Sequence, residues 1–338
     1  MSKEFDKEKN INYNKRKQNQ FYGDKGQQVY LSIVIPLLNE EESIPELVQQ
    51  IVETLAENKI RDYEIIFIDD GSTDNSYKVI KDLSKENSNI HCIKFRRNYG
   101  KSAALSVGFA QAQGKYVITM DADLQDDPKE IPNLIEKLNM GYDLVSGWKK
   151  KRYDPISKTI PSKFFNYVTS IATGVRLHDF NCGLKAYKRS VVKTVLVYGE
   201  MHRYIPALAH LDGFKVTEIP VQHHPRKYGK TKFGLSRFIY GFLDLLTVLV
   251  TVKYMKRPLH FFGTLGVLLT LIGFITNLAL SIEWFMGSTS LSNRPLLWFG
   301  IASIIVGIQF ISLGLLGELM TKHQMMNNKN MYNISDKF

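Results

Sequence analysis

Between residues 29 and 125, short apolar runs alternate with stretches in which apolar residues recur at helical spacing. Short apolar runs typical of buried strands occur as "VYLSIVIPLLNE", "YEIIFIDD", "NIHCIKFRRN" and "KYVITMDADLQ". The first three are each followed by a stretch with helical spacing: "EESIPELVQQIVETLAEN", "YKVIKDLSKE" and "SAALSVGFAQAQ". Strands that alternate with helices predict βαβ units on a mostly parallel sheet with helices on both faces. The predicted fold class is therefore α/β.

Two much longer apolar stretches lie near the end of the chain. Leu259 to Ile282 and Leu296 to Leu316 contain no Asp, Glu, Lys or Arg. Each exceeds the roughly 18 residues that cross the hydrocarbon core of a bilayer. A buried core helix is the alternative interpretation, but two such stretches around a short polar turn favour a transmembrane hairpin.

A polar and then an amphipathic stretch precede this hairpin. "RKYGKTKFGLSR", residues 226–237, carries five cations and no acid, as a polybasic membrane-surface segment does. "FIYGFLDLLTVLVTV", Phe238 to Val252, is apolar but too short to span and contains Asp244. We expect it to lie in the membrane interface.

Flanking charges predict the orientation of the hairpin. The turn between the spans carries only Arg294, balanced by Glu283, whereas cations flank the outer ends: Lys253, Lys256, Arg257 and Lys322. Positive flanks stay cytoplasmic. We therefore expect a multi-pass protein of the inner (cytoplasmic) membrane whose globular part is cytosolic.

Composition adds a domain plan and removes some functional classes. The net charge of +11 is typical of nucleic-acid binding, but the cations cluster beside the spans and in the first 28 residues, so lipid is the better partner. Two isolated cysteines, Cys92 and Cys182, argue against a disulfide framework or zinc site. The chain is expected to contain a disordered segment (1–28), an α/β catalytic domain (29–225), a basic loop with an interfacial helix (226–258), two transmembrane helices (259–320) and a cytoplasmic tail (321–338).

Polar clusters follow three of the predicted strands. They are Pro36 to Glu40, Asp69 to Ser72, and Asp121 to Gln125. Ligands of open α/β sheets bind beyond the carboxyl ends of the strands. This edge of the sheet is the candidate site.

The third cluster belongs to "MDADLQDDP", which packs four carboxylates into nine residues. Neighbouring acids repel one another unless a cation neutralises them, and carboxylate oxygens are ligands that Mg²⁺ or Mn²⁺ accepts. For Asp121 and Asp123 we favour contact with a metal and a nucleotide. For Asp126, Asp127 and Pro128 a solvated turn that opens a helix is the better interpretation.

Four motifs in this order, "SIVIPLLNE", "IIFIDDGSTDNS", "RRNYGKSAALSVGF" and "DADLQDDP", resemble the GT-A (Rossmann-like) domain of family 2 glycosyltransferases. The polyprenyl-phosphate (dolichyl-phosphate type) subgroup is the most similar, and the resemblance covers about residues 29–235. It implies a set of nucleotide-binding residues: Pro36, Leu38, Asn39, Glu40, Asp70, Lys101 and Asp121. It also implies a Mg²⁺ or Mn²⁺ ion held by Asp123, Gln125 and Asp121. Through this ion Asp123 is expected to be a catalytic residue. Lys101 in a Gly-Lys pair is also an ordinary helix start.

Two later motifs are similar to acceptor-side motifs of the same family. "HDFNCGLKAYKRS" places Asp179 beside the attacking group, where it would orient the acceptor or accept a proton; a turn or N-cap acid is the alternative. In the basic loop, the resemblance implies a clamp for the lipid phosphate made of Arg226, Gly229, Thr231 and Lys232.

The resemblance implies a metal-dependent, inverting transfer of one sugar from a UDP- or GDP-linked donor to a polyprenyl phosphate such as undecaprenyl phosphate. A processive polysaccharide synthase is one alternative, although no Trp follows an Arg as the Gln-x-x-Arg-Trp motif of that class requires. A non-catalytic membrane scaffold is another. The sugar stays open, with Trp148, Lys149, Lys150 and His202 to Tyr204 as residues that could select it. The oligomeric state is open too, because glycines in the spans allow packing against partner chains.

Overall fold

The fold of the chain was analysed in a computed structural model. It describes residues 29–150, 166–171, 173–197, 199, 201–225, 227–228, 258–287 and 294–327, with side chains in the last range described to residue 320. The segment expected to be disordered (1–28) and the predicted interfacial helix lie outside these residues. The chain divides into two compact units, Met1–Asp244 and Leu245–Phe338.

The first unit is built on a seven-stranded sheet in the part of the chain described. Its strands are β1 (Leu31–Leu37), β2 (Tyr63–Asp69), β3 (Ile90–Lys94), β4 (Tyr116–Thr119), β5 (Leu144–Lys149), β6 (Lys185–Lys188) and β7 (Val216–Val221). The strand order is β3-β2-β1-β4-β6-β5-β7. Every neighbouring pair is parallel except β4 with β6 and β6 with β5. The mostly parallel α/β sheet predicted from the sequence is confirmed.

Helices connect the strands. They are α1 (Ile44–Glu57), α2 (Ser76–Glu86), α3 (Lys101–Gln111), α4 (Ile131–Asn139), α5 (Arg189–Thr194) and α6 (Ile205–Leu211), with 3₁₀ turns at Pro128–Glu130 and Met201–Tyr204. A further helical stretch covers residues 166–171.

Both faces of the central strands β1, β2 and β4 are buried, which explains why these strands are mostly apolar runs. Along β1, Ile33 and Ile35 contribute to the core shared with α1, α2 and α4, whereas Val34 contributes to the core shared with α3, α5 and α6. Alternate side chains of one strand therefore enter opposite cores. The strands are fixed from both sides, and the loops at their ends start from rigid positions.

The second unit is a helical hairpin. Its helices are α7 (Pro258–Phe285) and α8 (Pro295–Asn327), and by length and composition both can cross a membrane. α8 continues to Asn327, into the segment expected to be the cytoplasmic tail. At the turn, Arg294 donates to Glu283 at 3.0 Å, so the balance of charge expected there takes the form of an ion pair.

Glycines let the two helices of the hairpin approach closely. A Cβ at Gly266 would lie 2.5 Å from the Gly307 carbonyl oxygen, and a Cβ at Gly273 would lie 2.5 Å from that of Gly300. Large apolar side chains such as Ile275 and Trp298 instead point outward and are exposed. Small residues inside and large apolar residues outside are typical of helices that pack within lipid.

Candidate active site

A cavity of about 390 Å³ opens where β1, β2 and β4 end and α3 begins. The strand order reverses between β1 and β4, and a crevice at such a switch point is the usual ligand site of an open α/β sheet. The lining includes all but one of the predicted nucleotide-binding residues: Pro36, Leu38, Glu40, Asp70, Lys101 and Asp121. Asp123 also lines the cavity, together with Leu37, Asn98, Gly100, Ala104, Ala122, His202 and Arg203.

Asn39 is the predicted nucleotide-binding residue that does not line the cavity. It has a positive φ of 54°, a conformation that Asn tolerates better than most residues. Its backbone N–H donates to Ser72 Oγ at 2.9 Å, and its Oδ1 accepts from the Thr73 N–H at 2.8 Å. The side chain thus ties the loop after β1 to the loop after β2 and shapes the rim of the cavity.

Asp70 is buried and organises the beginning of α3. Its two carboxylate oxygens accept from the backbone N–H groups of Tyr99 at 2.7 Å and Gly100 at 2.9 Å. Gly100 has a φ of 91°, which favours glycine. A base bound in the cavity would meet a carboxylate whose position is already fixed, with further lone pairs to accept from the base.

Lys101 and Asp121 form an ion pair between the beginning of α3 and the end of β4. Burial by itself would raise the pKa of Asp121, but the positive charges of Lys101 and Lys149 lower it to about 2. Asp121 is therefore a carboxylate at any physiological pH. The pair places a cation and an anion side by side in the wall of the cavity.

Asp123 and Gln125, the other predicted metal ligands, occupy different environments. The Asp123 side chain is buried in the cavity wall, and its Oδ1 accepts from the Gln125 N–H at 3.2 Å. Gln125 is absent from the lining. Its backbone oxygen accepts from the His224 N–H at 2.9 Å and lies 3.1 Å from His223 Nδ1. The structure therefore brings Asp121 and Asp123 together at the cavity and fixes Gln125 against residues 223–224.

Asp126, Asp127 and Pro128 were predicted to form a solvated turn that opens a helix; the turn is present, but Asp126 and Pro128 are buried and Asp127 is only partly exposed. Asp127 caps the 3₁₀ turn by accepting from the Lys129 N–H at 2.9 Å. Asp126 is instead buried, and its carboxylate pairs with Lys149 Nζ at 3.1 Å. Because Lys149 neutralises Asp126 inside the protein, the prediction of solvent exposure was wrong for Asp126. Lys149 is committed to this pair and does not line the cavity.

Asp179 lies in the loop that enters β6 and is buried, at 2% exposure. Its Oδ1 accepts from the Asn181 N–H at 3.0 Å. The same loop touches the nucleotide side of the site, because a Cβ at Gly183 would lie 2.6 Å from the carboxylate of Asp121. Asp179 itself does not line the cavity; the structure brings its loop, through Gly183, against Asp121.

A narrow cleft of about 10 Å³ lies among residues of this loop and contains a lysine that sequence reasoning missed. Lys185 is buried, and its Nζ donates to the Cys182 carbonyl oxygen. Burial lowers its pKa. In "CGLKAY" a lysine at the start of a short strand gives no local signal that it faces inward.

His202 and Arg203 come from the 3₁₀ turn before α6 and close one side of the cavity. Ser102 Oγ accepts from the His202 backbone N–H at 3.1 Å and lies 3.0 Å from its Nδ1. Burial and the positive charges of Lys101 and Arg203 lower the pKa of His202 well below its ordinary value. The site therefore presents a neutral imidazole.

The predicted lipid-phosphate clamp, Arg226, Gly229, Thr231 and Lys232, lies outside the described residues. Its described neighbours are anchored to the first unit. Lys227 pairs with Glu46 at 2.7 Å, and Tyr228 packs against the core.

The residues at the cavity fit a divalent metal that is bound partly by the protein and partly by the phosphates of the substrate. No group of three or more His, Cys, Asp or Glu suited to a metal occurs among the described residues. Mg²⁺ usually takes one or two carboxylates from the protein and completes its shell with substrate phosphates and water. Asp123 and Asp121 at the cavity supply such a pair.

Comparison with known proteins agrees with this geometry. Residues 32–196 match the model of glycosyl transferase family 2. The dodecaprenyl-phosphate galacturonate synthase of Rhizobium johnstonii is 37% identical over 304 residues, 88% of this chain and 90% of the relative.

Solved structures match at lower identity. A mycobacterial protein has a TM-score of 0.51 and 18% identity over 70% of this chain and 77% of its own. Glucosyl-3-phosphoglycerate synthase of Mycobacterium tuberculosis, in complex with Mn²⁺ and UDP-glucose, has a TM-score of 0.50 and 18% identity over 69% and 82%. These structures confirm the GT-A arrangement of the first unit.

Proposed function

The chain belongs to glycosyl transferase family 2, and on this premise we propose that it transfers one sugar from a nucleotide sugar to a polyprenyl phosphate. The observation that carries the proposal is the cavity, which gathers nearly all of the predicted nucleotide-binding residues beside the loop of Asp179. Two long apolar helices in the same chain support an acceptor that resides in a membrane. The similar protein of Rhizobium is named for the same class of product, a polyprenyl-phosphate sugar.

The proposed reaction is a direct displacement. An oxygen of the acceptor phosphate attacks the anomeric carbon and forms the new C–O bond, while the bond from that carbon to the diphosphate breaks. The electron pair leaves on the nucleoside diphosphate, and the anomeric configuration is inverted. Lys101, at the beginning of α3, stabilises the charge that develops on the diphosphate.

Asp179 is proposed to face the acceptor. A phosphate monoester is largely ionised at neutral pH, so little proton transfer is required. Asp179 then orients the acceptor, or accepts a proton from an acceptor that arrives singly protonated.

We further propose that transfer depends on a divalent cation held by Asp123 and Asp121, with Gln125 as the third predicted ligand. When bound, Mg²⁺ or Mn²⁺ neutralises the departing diphosphate. Support comes from the paired carboxylates at the cavity and from the Mn²⁺ complex of the solved structure of similar fold.

The acceptor phosphate is assigned to the basic loop, through Arg226, Gly229, Thr231 and Lys232. The catalytic unit is assigned to the cytosolic side of the inner membrane, where nucleotide sugars are available. The cationic flanks of the hairpin and the neutral Glu283–Arg294 turn support that orientation.

The test uses membranes that contain the full-length protein. They are incubated with undecaprenyl phosphate and labelled nucleotide sugars linked to UDP or GDP: neutral hexoses, amino sugars and hexuronates. A galacturonate donor comes first, given the name of the Rhizobium relative. We expect label in the organic phase, one sugar per lipid, and at least a 100-fold loss in Asp123→Ala or after chelation of divalent cations.

Lipid that carries several sugars would favour a processive synthase. No labelled lipid with any donor, from membranes whose protein still binds a nucleotide, would favour the non-catalytic alternative. An unchanged rate in Asp123→Ala would contradict the metal assignment.

A further inference from the structure

The segment that carries Asp179 rests on one face of the β5–β7 pair. Ser146 and Glu218 are register partners in these parallel strands, so their side chains leave the sheet on the same face. Trp148, two residues after Ser146, shares that face. All three side chains contact residues 178–179.

Glu218 makes two of these contacts. Its Oε2 accepts from the His178 backbone N–H at 2.8 Å, and its Oε1 contacts Nδ1 of the same residue. The His178 ring in turn stacks on Trp148, with ring centroids 4.2 Å apart and planes 18° apart. One carboxylate therefore fixes both the backbone and the ring of the residue before Asp179.

Other side chains hold the remaining backbone groups. Asn166 Nδ2 donates to the His178 carbonyl oxygen at 2.7 Å. Ser146 Oγ lies 3.4 Å from the Asp179 carbonyl oxygen. Side chains thus hold the His178 N–H and both carbonyl groups of residues 178–179, so a substitution of one of them loosens this segment without breaking a strand pair.

We infer that Glu218 is a positioning residue for the acceptor half of the reaction, and this rests on the function proposed above for Asp179. Glu218 does not line the cavity and touches no predicted substrate group. It acts by fixing His178, and thereby the place of Asp179 relative to the cavity. A displacement of about 1 Å in a reacting group can cost on the order of 100-fold in rate.

Asp143 offers a matched control beside the same two strands. It precedes β5, at the opposite end of the sheet from the site. Its Oδ2 accepts from the Lys215 N–H at 2.9 Å, and its Oδ1 pairs with Lys188 at 2.9 Å. Like Glu218, it holds one backbone amide and one side-chain nitrogen. The Asp143→Ala variant therefore shows how much kcat and amide exchange change when a carboxylate with such contacts is lost away from the site.

The experiment compares Glu218→Ala, Glu218→Gln and Asp143→Ala in the full-length protein in detergent. We expect Glu218→Ala to lower kcat of sugar transfer 10- to 100-fold while KM for the nucleotide sugar stays within twofold. Glutamine keeps an oxygen for the His178 amide, so Glu218→Gln should recover most of the loss. Asp143→Ala should keep kcat within threefold.

Amide hydrogen exchange supplies a readout that needs no activity. The peptide covering residues 176–184 should exchange faster in Glu218→Ala than in the wild type or in Asp143→Ala. The inference is overturned if exchange is unchanged, if kcat stays within twofold, if the glutamine variant behaves like the alanine variant, or if Asp143→Ala loses as much. A wild type that transfers no sugar would refute the proposed function, and the exchange result alone would then test whether Glu218 fixes residues 178–179.

Discussion

The imidazole of His202 is a buried titratable group at the wall of the cavity. Burial, Lys101 and Arg203 together lower its pKa well below 6.5. The unfolded chain therefore binds a proton at higher pH than the native chain does. The contribution of neutral His202 to stability is complete above about pH 6.5 and decreases as the pH falls below that value.

We expect this difference to appear as a pH-dependent free energy of unfolding. Between pH 6.5 and 5, the wild type should lose up to about 1.4 kcal/mol per pH unit relative to His202→Asn, which has no imidazole to titrate. Urea midpoints of the full-length protein in detergent at pH 7.5, 6.0 and 5.0 measure it. Parallel pH profiles for the two proteins would contradict the assignment.

At the scale of single residues, the sequence motifs predicted which residues surround the cavity better than they predicted what each side chain contacts. Lys101 and Asp121 line the cavity as expected, because Lys101 is the first residue of α3 and Asp121 lies just after the end of β4. Asn39 belongs to the same motif, yet its side chain points to Thr73. Spacing along a loop fixes which residues are near a site, but the local φ decides which side chain enters it.

Two loops meet between β4 and β6, and Gly183 is the point of contact. Its backbone is not in the left-handed region, so alanine is tolerated conformationally, but the added Cβ would lie 2.6 Å from the Asp121 carboxylate. Asp121 must then move and weaken its pair with Lys101. We expect Gly183→Ala to raise KM for the nucleotide sugar at least 10-fold, with a stability loss of about 1–3 kcal/mol.

Gly213→Ala is the control for this prediction. Gly213 has a φ of 88°, and a Cβ there would meet nothing within 4 Å. Alanine in this conformation costs about 1–2 kcal/mol of stability, but KM for the donor should not change. Steady-state kinetics and urea unfolding of both variants separate the two effects. An unchanged KM in Gly183→Ala would show that the loops can move apart freely.

At the scale of elements, the first four strands could be predicted and the last three could not. β1, β2 and β4 are mostly apolar runs buried on both faces, and β3 is a shorter, partly buried edge strand that helical patterns flank on both sides. β6 is four residues long and includes two lysines in "KAYK", one buried and one partly exposed. Its antiparallel pairing with β4 and β5 depends on contacts distant in sequence, which no local pattern encodes.

Charge and hydropathy are distributed unevenly over the whole molecule. The net charge of +11 belongs to segments outside the two spans, because Leu259 to Ile282 and Leu296 to Leu316 contain no Asp, Glu, Lys or Arg. This distribution allowed two helices long and apolar enough to cross a membrane to be predicted from the sequence. The orientation of the hairpin, and thus the side of the membrane on which the first unit lies, is predicted only from the flanking charges.

Two exposed methionines allow the orientation to be tested in spheroplasts with a membrane-impermeant maleimide. Met286 follows α7 at the turn of the hairpin, and Met140 follows α4 in the first unit. The native thiols give little background. Burial raises the pKa of Cys92 and of Cys182 to about 12, so both remain protonated and unreactive near pH 7.

We expect Met286→Cys to be labelled in intact spheroplasts and Met140→Cys only after the membrane is permeabilised. In the proposed orientation the positive flanks hold both ends of the hairpin on the cytosolic side, and the turn then faces the other side. Labelling of Met140→Cys alone in intact spheroplasts would reverse the orientation and separate the site from cytosolic nucleotide sugars. Protection of both cysteines would mean that the hairpin enters the membrane without crossing it, because a turn that reaches the outer surface cannot be hidden from the reagent.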